Sequence, residues 1–132
     1  MKRHTNKIDI RVYYEDTDCG GVVYYANYLK YMERGRTELM RELGFDLADL
    51  HNQGTLFVVA EANIKYRFSA RYNDVLTVAT AITHHSSVTL AFHYEIVNHQ
   101  GVTCASGDVK AACVDGCGKI KRIPHDILAV LA

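Results

Sequence analysis

The chain has 132 residues, enough for one domain and too few for two, so residues 1–132 are expected to form a single domain. A composition of 48% hydrophobic and 23% charged residues is that of a globular protein and excludes a disordered one. Fifteen basic residues balance fifteen acidic ones, which argues against a protein that coats nucleic acid, since phosphate binding needs a basic excess.

The N-terminus, Met1 to Lys7, is basic, but no apolar run follows it. It does not read as a signal peptide, and a cytoplasmic protein is expected. No run approaches about 18 apolar residues, so no transmembrane helix is expected. Cys19, Cys104, Cys113 and Cys117 are scattered, as free thiols in a reducing compartment would be. Cys113-x3-Cys117 could supply half a zinc site, but no second pair with ligand spacing exists, and no metal is expected.

In chain order, residues 8–14 alternate, with Ile8, Ile10, Val12 and Tyr14 on one face, which predicts a half-buried strand. Glu15 to Gly21 is a loop rich in turn formers. Asn27 is a good N-cap for a long helix over 28–43, in which Tyr28, Leu29, Met32, Leu39, Met40 and Leu43 recur at helical spacing. Gly35 falls near that stripe, and close approach of the helix to another backbone would explain it. Arg34 and Glu38 form an i,i+4 pair, and Gly44 is placed to end the helix.

After a polar patch at 49–54 the period changes to two. Strands are predicted over 56–68, 75–83, 88–97 and 102–114, with turns at 98–101 and 115–118. In the first of these, Val58, Ala60, Ala62, Ile64, Tyr66 and Phe68 share a face. Pro124 suits the first position of a short terminal helix, about 125–131. Strands joined by short turns are antiparallel, and one apolar-striped helix must bury itself against their sheet. An α+β fold follows. A single helix leaves sheet edges uncovered, which predicts self-association.

Chemistry concentrates between Glu15 and Tyr28. Acidic groups stand just before a helix start, and two glycines let a ligand approach the backbone. A helix N-terminus offers unpaired N–H groups and partial positive charge. A carboxylate beside such donors is what ester or thioester hydrolysis needs. A plain acidic loop before a helix has the same pattern. Asp16-x-Asp18-x-Gly20 also resembles the opening of a calcium loop, but its twelfth position is Asn27 and no helix precedes it. No Ser-centred, P-loop or dinucleotide signature is present. Tyr66 to Tyr72 mixes basic and aromatic residues, read as a strand end with snorkelling arginines.

Tyr14-Glu15-Asp16-Thr17-Asp18-x-Gly20-Gly21-Val22-Val23-Tyr24-x-Ala26-Asn27-Tyr28-Leu29-Lys30-Tyr31-x-Glu33-Arg34-x-Arg36-Thr37-Glu38 closely resembles the signature of the hotdog-fold acyl-CoA thioesterases. Within them it is similar to the branch associated with the bacterial Tol–Pal envelope system, related to the 4-hydroxybenzoyl-CoA thioesterases. The resemblance implies a five-stranded antiparallel sheet wrapped around one long helix. It also implies a dimer with active sites at the subunit interface, often paired into a homotetramer.

The family's catalytic aspartate falls on Asp18, and its polarising backbone N–H falls on Tyr25. Relatives often carry His where Tyr25 stands. Asp18 would activate water or attack the thioester itself. No separate cofactor is implied, because coenzyme A is part of the substrate. Tyr24, Tyr28 and Met32 are candidates to shape the acyl pocket, and Arg67, Arg71 and Lys110 to meet phosphates. The alternative role is a non-catalytic binder of acyl carrier protein or of phospholipid-synthesis enzymes, and acyl carrier protein is also a possible thioester carrier. The expected place is the cytoplasm, free or peripheral at the inner membrane.

Overall fold

The chain, a computed structural model describing residues 4–132, forms an antiparallel sheet that curls over one long helix. Its strands are β1 His4–Arg11, β2 Leu56–Tyr66, β3 Val75–His85, β4 Thr89–Asn98 and β5 Thr103–Val114. Their spatial order is β1-β3-β4-β5-β2, so β1 and β2 are the edges. The helices are α1 Asn27–Glu42, α2 Leu47–Asn52 and α3 His125–Leu131. This is the expected α+β arrangement. Among the described residues no helix is long and apolar enough to cross a membrane.

The core lies between α1 and the inner face of the sheet. Tyr28, Tyr31, Met32, Leu39 and Met40 of α1 meet Leu76 and Val78 of β3, Leu90, Phe92, Tyr94 and Ile96 of β4, and Val109 and Ala111 of β5. The period-two pattern holds from Leu76 to Ile82 in β3 and along all of β4, where every second residue is buried. Cys104 and Cys113 are packed within β5, while Cys19 and Cys117 are exposed thiols.

Several expectations need correction. β1 begins at His4 and ends at Arg11, and Tyr14 is exposed in a 3-10 turn over Tyr14–Asp16 rather than inside a strand. A short helix, α2, overlaps the polar patch from its N-terminal side, and Asp46 caps it by accepting from the Ala48 and Asp49 N–H groups at 2.8 and 3.3 Å. Six residues are too few to show helical periodicity, so only the cap marked it. Pro124 stands one position before α3 rather than in its first turn. Among the described residues Arg34 pairs with no carboxylate; it lies over the Tyr31 ring at 5.8 Å, and Glu38 is taken by Arg41 at 3.0 Å.

The face of β2 that carries Val58, Ala60, Ala62, Ile64 and Tyr66 is largely open to solvent. Val58, Tyr66 and Phe68 are exposed, as is Val59 on the opposite side. The alternation is real, but β2 lies at the edge farthest from β1 and β3, the strands against which α1 packs. A bulge between Val59 and Glu61 also interrupts its register with β5.

Gly35 is where helix and sheet come closest. A Cβ there would collide with the Thr80 Oγ1 atom and lie 3.1 Å from Val78 Cγ1. The close approach is therefore to β3 side chains rather than to backbone. On the outer face, His93 joins β4 to β5 through Asp108 at 2.9 Å and also meets Glu95 at 3.1 Å. The Asp108 bond is the main cause that holds the His93 imidazole above its ordinary pKa; burial opposes it and Glu95 adds to it.

Two outcomes follow from these contacts. Gly35→Ala gains about 1 kcal/mol of helix propensity but overpacks the interface by about 1–3 kcal/mol. Its melting temperature should fall by several degrees, and Thr80→Ala in the same chain should recover part of the loss. An unchanged melting temperature for Gly35→Ala would show that β3 yields. For His93, the raised folded-state pKa means its stabilisation is complete below about pH 6.5, the unfolded value, and is lost as pH rises through the folded value. Urea unfolding of wild type and His93→Gln should therefore converge toward alkaline pH; parallel curves from pH 5.5 to 9 would contradict this.

Candidate active site

The segment from Tyr13 to Asn27 is folded back on itself by Asp16. Its carboxylate accepts from the Tyr13 N–H at 2.8 Å and holds the 3-10 turn. Its main-chain carbonyl accepts from the Tyr24 N–H at 2.9 Å and from Asn27 Nδ2 at 2.8 Å. Asn27 is thus not the N-cap. It is the first residue of α1, buried, with its amide turned back to the loop. Ala26 occupies the cap position and supplies no side-chain acceptor.

The first N–H groups of α1 are already spent: Asn27 donates to the Tyr24 carbonyl at 2.9 Å, Tyr28 to Tyr25 at 3.4 Å and Leu29 to Ala26 at 3.2 Å. The two N–H groups just before the helix, those of Tyr25 and Ala26, donate to no acceptor among the described residues. They stand at the positive end of a 16-residue helix.

Asp18 sits on the other side of the same loop. Its N–H bonds to the Val22 carbonyl at 2.9 Å, and its carbonyl accepts from Gly21 at 3.1 Å. Gly21 has φ 81°, a left-handed conformation that suits glycine. The Asp18 Oδ1 atom accepts from the Gly20 N–H at 2.8 Å, and the carboxylate is otherwise exposed. The turn therefore orients one oxygen and leaves the other free to act. Val23 donates to the Ala70 carbonyl at 2.8 Å, which ties the loop to the segment after β2.

Asp18 and Tyr25 line one cavity of ≈ 290 Å³, together with Val22, Tyr28, Tyr66 and Phe68. Arg67 also lines it, with its Nε 3.4 Å from Ser106 Oγ. Other expected lining residues lie elsewhere. Tyr24 packs against the Tyr25 ring, centroids 4.6 Å apart and tilted by 44°, but is outside the cavity wall, and Met32 is buried in the core beside Gly107. Lys110 lies on the outer sheet face near His93. Tyr66 and Phe68 share one face of the predicted strand over 56–68, and nothing in that alternation marks them as cavity walls. Tyr31 lies behind the loop; burial first, and the Asp16 carboxylate second, push its hydroxyl far above the ordinary value, so it remains a neutral phenol.

A curved antiparallel sheet around a long helix, with a carboxylate loop at the helix start, defines the hotdog class of thioesterase folds. The sequence profile of the thioesterase-like superfamily matches residues 12–131, and the chain belongs to that superfamily. It is 41% identical over 123 residues to the acyl-CoA thioesterase YbgC of Haemophilus influenzae, covering 91% of this chain and 89% of that one. It is 39% identical over 121 residues to the acyl-CoA thioester hydrolase YbgC of Escherichia coli O6:H1, covering 91% and 90%. Among solved structures it resembles a DHNA-CoA thioesterase from Staphylococcus aureus, with TM-score 0.87 and 29% identity over 89% of this chain and 80% of that one.

Proposed function

We propose that this thioesterase hydrolyses acyl-CoA to a free acid and coenzyme A, with Asp18 and the Tyr25 N–H as its reacting groups. The chain is an acyl-CoA thioester hydrolase in the manner of its relatives. One observation carries the assignment of the site: Asp18, with one carboxylate oxygen free of hydrogen bonds, and Tyr25, whose N–H has no acceptor among the described residues, line the same cavity.

In this reading the thioester carbonyl accepts a hydrogen bond from Tyr25. Attack at the carbonyl carbon moves charge onto that oxygen, where the N–H and the helix dipole stabilise it. Asp18 takes a proton from the attacking water, or its own oxygen attacks and water then cleaves the anhydride. Collapse of the intermediate breaks the C–S bond and releases coenzyme A as thiolate. No step needs the Tyr25 side chain, which is consistent with Tyr standing where relatives often carry His.

The active unit is proposed to be a homodimer, paired into a homotetramer. The uncovered β2 edge supports this, with Val58 and Val59 exposed beside it. The resemblance of the Asp18 segment extends the proposal to cytoplasmic, membrane-peripheral work with the Tol–Pal envelope system, where acyl carrier protein is a second candidate carrier of the thioester.

The decisive assay is thiol release from a series of aliphatic acyl-CoAs and benzoyl-CoA. Asp18→Asn keeps an oxygen for the Gly20 N–H, so it should fold normally yet lose about 10²–10⁴-fold in kcat. Normal turnover by this variant would remove Asp18 from the mechanism. Release only from acyl carrier thioesters would move the substrate to the carrier, and a tight carrier complex without turnover would favour a binding role. For the assembly, the double variant Val58→Arg, Val59→Arg should sediment as a monomer. A wild type that is itself monomeric at micromolar concentration would overturn the dimer.

A further inference from the structure

Tyr66 ends the edge strand β2, forty-one residues from Tyr25, yet it reaches the helix start. Its hydroxyl donates to the Tyr25 carbonyl oxygen at 3.1 Å. That carbonyl otherwise receives only a long bond, 3.4 Å, from the Tyr28 N–H. The next bond of the turn, from Leu29 N–H to Ala26 O, is 3.2 Å. The first turn is therefore loosely closed and has no side-chain cap.

The Tyr66 ring is itself held. It meets the Tyr28 ring edge-on, with centroids 5.4 Å apart, and the Tyr25 ring at 6.3 Å and 85°. Tyr28 is buried, and its hydroxyl accepts from the Ala70 N–H at 3.3 Å. A chain of contacts thus runs from the segment after β2, through two rings, to the backbone of residue 25.

We infer that Tyr66 is a positioning residue for thioester hydrolysis: its hydroxyl fixes the Tyr25 backbone so that the N–H of that residue points at the substrate carbonyl. The inference rests on the reading of Tyr25 as oxyanion donor. The carbonyl and N–H of one residue share a Cα, so freeing the first lets the second swing. Oxyanion donors act over a narrow range, about 2.7–3.1 Å, and a misplacement of about 1 Å can cost 10²-fold in rate. Because the donor bonds most strongly when charge develops on the oxygen, the effect falls on kcat more than on KM.

Tyr66→Phe keeps the ring and its packing and removes only the hydroxyl. We expect kcat to fall about tenfold, the scale of one hydrogen bond, while KM stays within about twofold. Melting temperature and the shape of the pH profile of kcat should be unchanged. Tyr66→Leu, which also removes a wall of the cavity, should lower kcat at least as far and raise KM. An unchanged kcat in Tyr66→Phe overturns the inference. So does a shifted pH profile, because the hydroxyl would then act on a titrating group rather than on the backbone. Asp18→Asn, measured beside it, separates the two readings. If Asp18→Asn is inactive and Tyr66→Phe is normal, only the positioning role fails. If Asp18→Asn is active, the proposed site itself fails.

Discussion

The carbonyl oxygen of Asp16 takes two hydrogen bonds, from the Tyr24 main chain and from the Asn27 side chain, and much of the site depends on that one atom. By drawing Asn27 inward it leaves α1 without a side-chain cap. By drawing Tyr24 inward it sets the approach of the chain to the helix. The loop between them bulges outward and carries Asp18 at its turn. The two aspartates of the motif thus divide the work: Asp16 binds backbone on both sides, and Asp18 keeps an oxygen free. The two N–H groups that precede α1, those of Tyr25 and Ala26, are the ones without an acceptor among the described residues, and the proposed site uses the first of them for developing negative charge.

The helix can serve as a platform because the sheet grips it. Tyr31, Met32, Leu39 and Met40 are all buried, and Gly35 brings α1 against Thr80 and Val78 with no room for a methyl group. Close packing of this kind transmits little slack. The donor end of α1 is consequently fixed relative to β3, while the carboxylate loop is fixed to the segment after β2 through Val23 and Ala70. Asp18 and Tyr25 line the cavity where these two supports meet.

The edge strand has a double role in this arrangement. Its pairing with β5 runs from Leu56↔Val114 to Tyr66↔Ala105, and its far side is unpartnered. Its last residue, Tyr66, touches the helix start. Any partner that covers β2 therefore lies close to the Tyr25 backbone and to the mouth of the cavity. In the proposed dimer, pairing along β2 and hydrolysis are thereby linked by geometry.

Local pattern alone made the α+β class, the long helix and β3 to β5 legible, because period and turn chemistry are properties of neighbouring residues. The motif at 14–38 pointed to Asp18 and Tyr25 for the same reason: both belong to one short segment. Asn27 shows where such reading stops. Its type suits a cap, but its true acceptor lies eleven residues upstream, and only the folded loop brings that carbonyl within reach. Val58 and Phe68 share a face by alternation, yet whether that face is buried depends on where β2 falls in the strand order. Tyr66 is the strongest case. Nothing near it in the chain names Tyr25 as its partner, since the contact exists only once an edge strand and a helix start are folded together. What the sequence determined by itself was the long helix, the strands of the sheet and the short segment that carries Asp18 and Tyr25. What the tertiary structure decided was which strand is left open, which acceptor Asn27 finds and which distant side chain reaches the Tyr25 carbonyl, because each of these depends on residues far apart in the chain.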